Sequence, residues 1–289
     1  MFSDSAARVL KEFVFTRPVT LSGGGMFPMG DDMKLMKGRI RFDASAGRVR
    51  YPLLGTTLDL GRTKGEVLIS PQWVVVDKMM GTIWDGTFTG RVLAQIDDGD
   101  ALNGSFVLQD MNLTSIGKSY DKKMEKATVH GAIEFSSKGG NMNSIQAKGE
   151  AALVHGDLVE IPLFGFLGEA LSNYIPGLGH LINYKISRAD CDFSIEKGYV
   201  RTSNFAAQGS NMSLEGGGWI RLSDLQVNSD FKLGLRGLPG FITSPVFLLA
   251  GGLFQVRGTG PLSNVSWNFA PFSGGKAPVP PAAAPARKR

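Results

Sequence analysis

The sequence holds a single cysteine, Cys191, so no disulfide can form within the chain. Histidine is almost as scarce: His130, His155 and His180 lie 25 residues apart, with no CxxC or HExxH pattern, which argues against a metal centre. No run approaches the ~20 uninterrupted apolar residues of a membrane-spanning helix. The nearest, Leu158 to Tyr184, is broken by Glu160, Glu169 and several glycines. The opening MFSDSAARVLKEF lacks the apolar core of a secretory signal, so the chain is expected to be soluble as written, or to be the C-terminal portion of a longer, anchored one. No dense basic stripe with interleaved aromatics is present, which excludes nucleic acid as an expected partner. The net charge of +5, part of it from Arg287-Lys288-Arg289, implies only a weak preference for anionic surfaces.

Catalytic signatures are lacking as well. There is no GxSxG, and no Ser, His and acidic set suggests a triad. Gly23–Gly25 and Gly216–Gly218 do not precede helices as a phosphate-cradling loop must, so they are expected to be turn or bulge glycines. IDDGDALNG, from Ile96 to Gly104, lacks the distal glutamate of a calcium loop and sits between two strand patterns, as a hairpin turn does. Asp190 and Asp192 share a strand face and fit a solvated surface better than a carboxylate pair. Cys191 alternates with Phe193 and Ile195, as a small core residue would. The expectation is no catalytic residue, no metal and no cofactor.

What the chain has in excess is glycine: 38 residues of 289, roughly 13% against the usual ~7%. Apolar residues at 43% and charged ones at 20% describe a chain able to bury a core. From Lys37 onward apolar and polar residues alternate with period 2 in RIRFDA, GRVRY and TTLDLG, then in Trp73–Val76, Thr87–Ile96 and Ser105–Met111. No helices of 10 to 15 residues separate these runs, which favours an antiparallel meander over parallel βαβ units. The cleanest alternation sets Leu225, Val227, Phe231, Leu233 and Leu235 against Gln226, Asn228, Asp230, Lys232 and Arg236. One face is apolar and the other polar, in a strand of about twelve residues.

Helical signals are few and short. Ser3 to Lys11 and SYDKKME, with Ser119 as its cap, are two candidates. The strongest is LVEIPLFGFLGEALSNYIPGLGHLINY, where Leu163, Leu167, Leu171, Tyr174 and Leu178 share one face and Pro176-Gly177 ends the run. Val246 to Leu249, between Ser244-Pro245 and Gly251-Gly252, makes another. The expected fold is therefore mainly β: a long curved antiparallel sheet, groove-like or solenoid-like, capped by two or three short amphipathic helices. The expected organisation is a β-rich region over 1–125, a C-terminal module over 126–270, and a disordered Pro/Ala-rich basic tail over 271–289.

A family resemblance rests on the order of elements in the C-terminal half. A strand ending AALVHGDLVEIP leads into the helix LFGFLGEALSNYIPG. Then come the hairpin ISRADCDFSIEKGYVRTSNFAAQG, the glycine strand SLEGGGWIRL, the long amphipathic strand, and FQVRGTGPLSNVSW. This order resembles the C-terminal module of the AsmA-like family, bacterial envelope proteins related to TamB and YhdP, over about residues 126 to 270. The inner-membrane helix with which members begin has no counterpart here, and Asn264-Val265 stands where asparagine-proline is commoner; the first departure points to a fragment or a divergent short member.

The resemblance implies a non-enzymatic periplasmic protein that binds or conducts phospholipid along an apolar β groove between the inner and outer membranes, membrane-associated through a region absent from this chain. Phospholipid or another acyl lipid is the implied ligand, with membrane surfaces or envelope proteins as further partners. The residues expected to line or cap the groove are Leu163, Phe164, Leu167, Leu171, Leu225, Val227, Phe231, Leu233 and Leu235. The alternatives are a structural or adhesive β-solenoid, or a scaffold for outer-membrane assembly.

Overall fold

A computed structural model describes residues 14–26, 36–53, 56–95, 101–119, 124, 126–138, 144–157, 173, 185–210, 212–235 and 253–271. The chain is mainly β, as expected: sixteen described strands, every described pairing antiparallel, in open sheet that does not close into a barrel. It divides into two compact units, Met1–Ser144 and Ile145–Arg289.

In the first unit β1 (Val14–Phe15), β2 (Thr20–Met26), β3 (Lys37–Asp43) and β4 (Arg48–Leu53) gather around β5 (Thr56–Ile69), the longest strand at 14 residues. The start of β5 pairs with β4 and its end with β3, so the sheet forks there. From β5 a simple meander runs through β6 (Trp73–Ile83), β7 (Gly86–Gln95), β8 (Leu102–Asn112) and β9 (Thr128–Ser137). Alternation of side chains writes the pattern directly, as in β3, where exposed and half-buried residues alternate through all seven positions. Trp84 and Asp85, both at positive φ, make the two-residue loop between β6 and β7.

The one described helix, α1 (Leu113–Ser119), follows β8 directly. Asn112 caps it, its side-chain oxygen accepting from the Thr114 N–H at 2.9 Å. This corrects the sequence expectation, because Ser119 ends a helix there and does not cap one. Leu113 is buried, and Ile116 packs on a core of Ile83, Phe88 and Met111. Trp84 donates its indole N–H to the Ser119 hydroxyl at 2.9 Å, and the Ser115 hydroxyl donates to Asp85. Two residues of one tight turn thus hold α1 in place. The expected helices over 3–11, 162–175 and 244–252 lie outside the described residues, apart from position 173.

The second unit is a plain meander of β10 (Gln146–Asp157), β11 (Lys185–Glu196), β12 (Tyr199–Gly209), β13 (Met212–Arg221), β14 (Gln226–Leu235), β15 (Leu253–Pro261) and β16 (Ser266–Pro271). Lys197-Gly198, at positive φ in both residues, turns β11 into β12. Its buried apolar residues run from Leu153 on β10 and Ala189 on β11 to Trp267 on β16.

Candidate functional site

Directly opposed residues of antiparallel strands share a face, so the register assembles the site row by row. One row crosses six strands: Leu153, Ala189, Ala207, Leu214, Leu233 and Phe254. Every member is apolar and between 0% and 8% exposed. The next row holds Phe205, Gly216, Phe231, Val256 and Phe269, and a third holds Gly218, Ser229, Gly258 and Trp267. Polar residues enter these rows in the third, where Thr202 opposes Gly218 and the buried Ser229 hydroxyl donates to the Gly258 carbonyl at 3.3 Å.

Gly216 and Gly258 in these rows lie against rings and Gly218 against the Asn228 and Ser229 backbone. None of them turns the chain, and the β12–β13 register shift between Thr202 and Phe205 lies opposite Gly216–Gly218, in keeping with the bulge half of the expectation. Gly216–Gly218 lie inside β13 and Gly23–Gly25 inside β2. The Phe205 and Phe231 rings meet edge to face, centroids 5.5 Å apart, across Gly216 between them. A Cβ on Gly216 would lie 2.9 Å from the Phe231 ring, and one on Gly258 would lie 2.9 Å from the Trp267 ring. In the first unit Gly65 faces Phe42, Gly81 faces Phe88, Gly90 faces Phe106 and Gly104 faces Phe135. Much of the glycine excess therefore serves close approach within strands and not chain reversal.

Of the residues expected to line the groove, Val227, Phe231, Leu233 and Leu235 come together on one face of β14, all buried. Leu225 is not with them. It sits in the turn before β14 at φ +54°, 48% exposed, because the chain is still reversing at that point. Leu163, Phe164, Leu167 and Leu171 lie outside the described residues. Sequence reasoning overlooked Leu214, Phe254 and Val256 as members of the face. The alternation of Phe254 and Val256 in FQV was the available signal.

The opposite face of β14 is polar but not uniformly wet. Asp230 is buried, and accepts from Arg257 at 2.9 Å and from Gln255 at 2.8 Å. At the β13–β14 turn Arg221 grips Asp224 with two hydrogen bonds of 2.7 and 2.8 Å, which hold the Asp224 carboxyl below the ordinary aspartate range. Cys191 on β11 is half-buried, and burial pushes its thiol up, opposed by a hydrogen bond with Thr202. Asp192 accepts from the Asn204 side-chain amide at 2.7 Å.

Chemically, the apolar face offers contact area and almost no directional bonding. Among the described residues no three His, Cys, Asp or Glu side chains are placed to hold a metal ion, and no helix is long and apolar enough to cross a membrane. Fold and face define an open antiparallel β protein whose second unit carries a buried apolar face. No protein-family model, curated protein or solved structure matches the chain.

Proposed function

We propose that this is a non-enzymatic protein of bacterial envelope biogenesis that binds or conducts phospholipid along the apolar face of its second unit, in the periplasm between the inner and outer membranes. The observation that supports this reading is the six-strand row from Leu153 to Phe254. An acyl chain laid along such a row gains ~0.8 kcal/mol for each methylene it buries and needs no directional partner. The order of elements, similar to that of the AsmA-like family, points the same way. Val227, Phe231, Leu233 and Leu235 are closed to solvent, so loading requires the face to open.

The same burial favours a second reading, in which the face is a dry core and the protein is structural. Lipid content separates the two. The chain is purified without detergent from bacterial membranes and cytosol, extracted with organic solvent, and the extract identified by mass spectrometry. Stoichiometric phospholipid, lost in a folded Phe231→Asp/Leu233→Asp variant, is the expected result. A folded, lipid-free wild-type chain that takes up no lipid from vesicles would sink the lipid reading in favour of the structural one.

A further inference from the structure

The strands β2, β3, β5 and β6 build a second, polar feature in the first unit. Ser22 opposes Arg41, and Arg41 opposes Glu66. Thr20 opposes Asp43, Asp43 opposes Lys64, and Lys64 opposes Met80. These side chains and Lys78 line a pocket of about 450 Å³.

Its floor is the carboxylate of Glu66, only 9% exposed, ringed by Arg39 Nε at 3.4 Å, Arg41 Nε at 3.4 Å and Lys78 Nζ at 3.8 Å. None of the three reaches the 2.7–2.9 Å of a well-formed charge-assisted bond. Elsewhere in the chain that range is met, by Arg48 with Asp59 at 2.8 Å, Arg257 with Asp230 at 2.9 Å and Arg221 with Asp224 at 2.7 Å. Asp43 is engaged by the Ser45 backbone N–H at 2.8 Å. Arg41, Lys64 and Lys78 thus stand against Glu66 and Asp43, a surplus of one positive charge among the residues that line this concave site, with Arg39 beside Glu66 as a further cation. Lys78 owes its place to a β-bulge, and it adopts φ +51°, a conformation that costs a non-glycine residue energy and is favoured at functional positions.

We propose that this basin is a binding site for a phosphate-type oxyanion, either inorganic phosphate or the phosphate of an ester or lipid head group. Arg41 and Lys78 supply the charge, their free donors turning from Glu66 to the anion oxygens, and the Thr20 and Ser22 hydroxyls supply neutral donors at the rim. The site lies wholly in the first unit and does not depend on the lipid-binding reading of the second.

The test uses the full chain at low salt. Inorganic phosphate is titrated by calorimetry, and co-sedimentation is measured with phosphatidylcholine vesicles with and without phosphatidylglycerol. Arg41→Gln/Lys78→Gln is compared with Lys148→Gln/Arg188→Gln, which removes the same two charges from exposed positions on β10 and β11. Circular dichroism confirms that both variants fold. The expected result is a Kd raised about tenfold or more in the basin variant only, the size of one lost charge-assisted bond. Binding of free phosphate assigns the site to a soluble anion. Binding of phosphatidylglycerol vesicles alone, lost in the basin variant, assigns it to a head group. Equal weakening in both variants, or no binding of either probe by the wild-type chain, would overturn the proposal.

Discussion

Arg257 lies directly opposite Asp230 across β14 and β15, its Nη2 2.9 Å from the buried Oδ2, and Gln255 reaches the same oxygen at 2.8 Å. A carboxylate on the polar side of the sheet is thereby taken out of water with its partners supplied by one neighbouring strand. Burial of a charge is tolerated only on those terms.

Removing the partner should cost more than removing the charge. Arg257→Met leaves the buried Asp230 carboxyl without its guanidinium partner, and we expect a loss of about 2 kcal/mol, discounted because Arg257 is itself half exposed. Asp230→Asn should cost about 1 kcal/mol, since the freed guanidinium can turn to solvent. Urea unfolding of the two variants checks the order; a larger loss in Asp230→Asn would contradict it.

The ring-bearing glycines should tolerate no side chain. Gly258→Ala puts a Cβ 2.7 Å from the Ser229 hydroxyl and 2.9 Å from the Trp267 ring, and we expect it to destabilise by about 1–3 kcal/mol. Trp267→Leu should relieve part of that strain, so the double variant loses less than the two single losses added together. Thermal unfolding of the four-member cycle gives the answer.

Ser119→Ala takes away the acceptor of the Trp84 indole N–H. The expected cost is about 1 kcal/mol, concentrated where α1 meets the β6–β7 turn. Hydrogen exchange should show faster amide exchange in 113–119 with β14 unchanged; uniform loss of protection would mean that the bond has no local role.

Burial raises the Cys191 thiol, so the folded chain keeps a proton that the unfolded chain has already released. That contribution to stability is complete below the ordinary thiol pKa and is lost as pH rises through the raised one. Alkylation by iodoacetamide at about pH 9, just above the ordinary thiol value of about 8.5, should be slower in the folded chain than in urea. Equal rates would place the thiol in water.

The β architecture was legible because period-2 alternation survives wherever one face of a strand is covered, and β3 and β14 show it plainly. Boundaries were less so: Leu225 continues the apolar alternation of β14 but occupies the turn. The role of Gly216 depends on Phe205 and Phe231, 11 and 15 residues away, and no local pattern announces such a partner. The basin around Glu66 was half visible in the alternating arginines of RIRF, but Lys78 joins it through a bulge that shifts the register. The helix α1 was missed because LTSIGKS carries little helical pattern of its own and is fixed by its Asn112 cap and by Leu113 and Ile116 finding the core, while most of SYDKKME lies outside the described residues.

Among the described residues of the second unit, each strand from β11 to β15 pairs only with the strands that precede and follow it in the chain. Such an arrangement is modular in units of two. Excising β12 and β13 together would leave β11 facing β14 with its direction still opposed, while losing one strand alone would force a parallel pair and a long crossover. Growth and shortening by whole hairpins are therefore the inexpensive changes of length open to this fold, and the span of its apolar surface can lengthen or contract without redesign of the strands that remain.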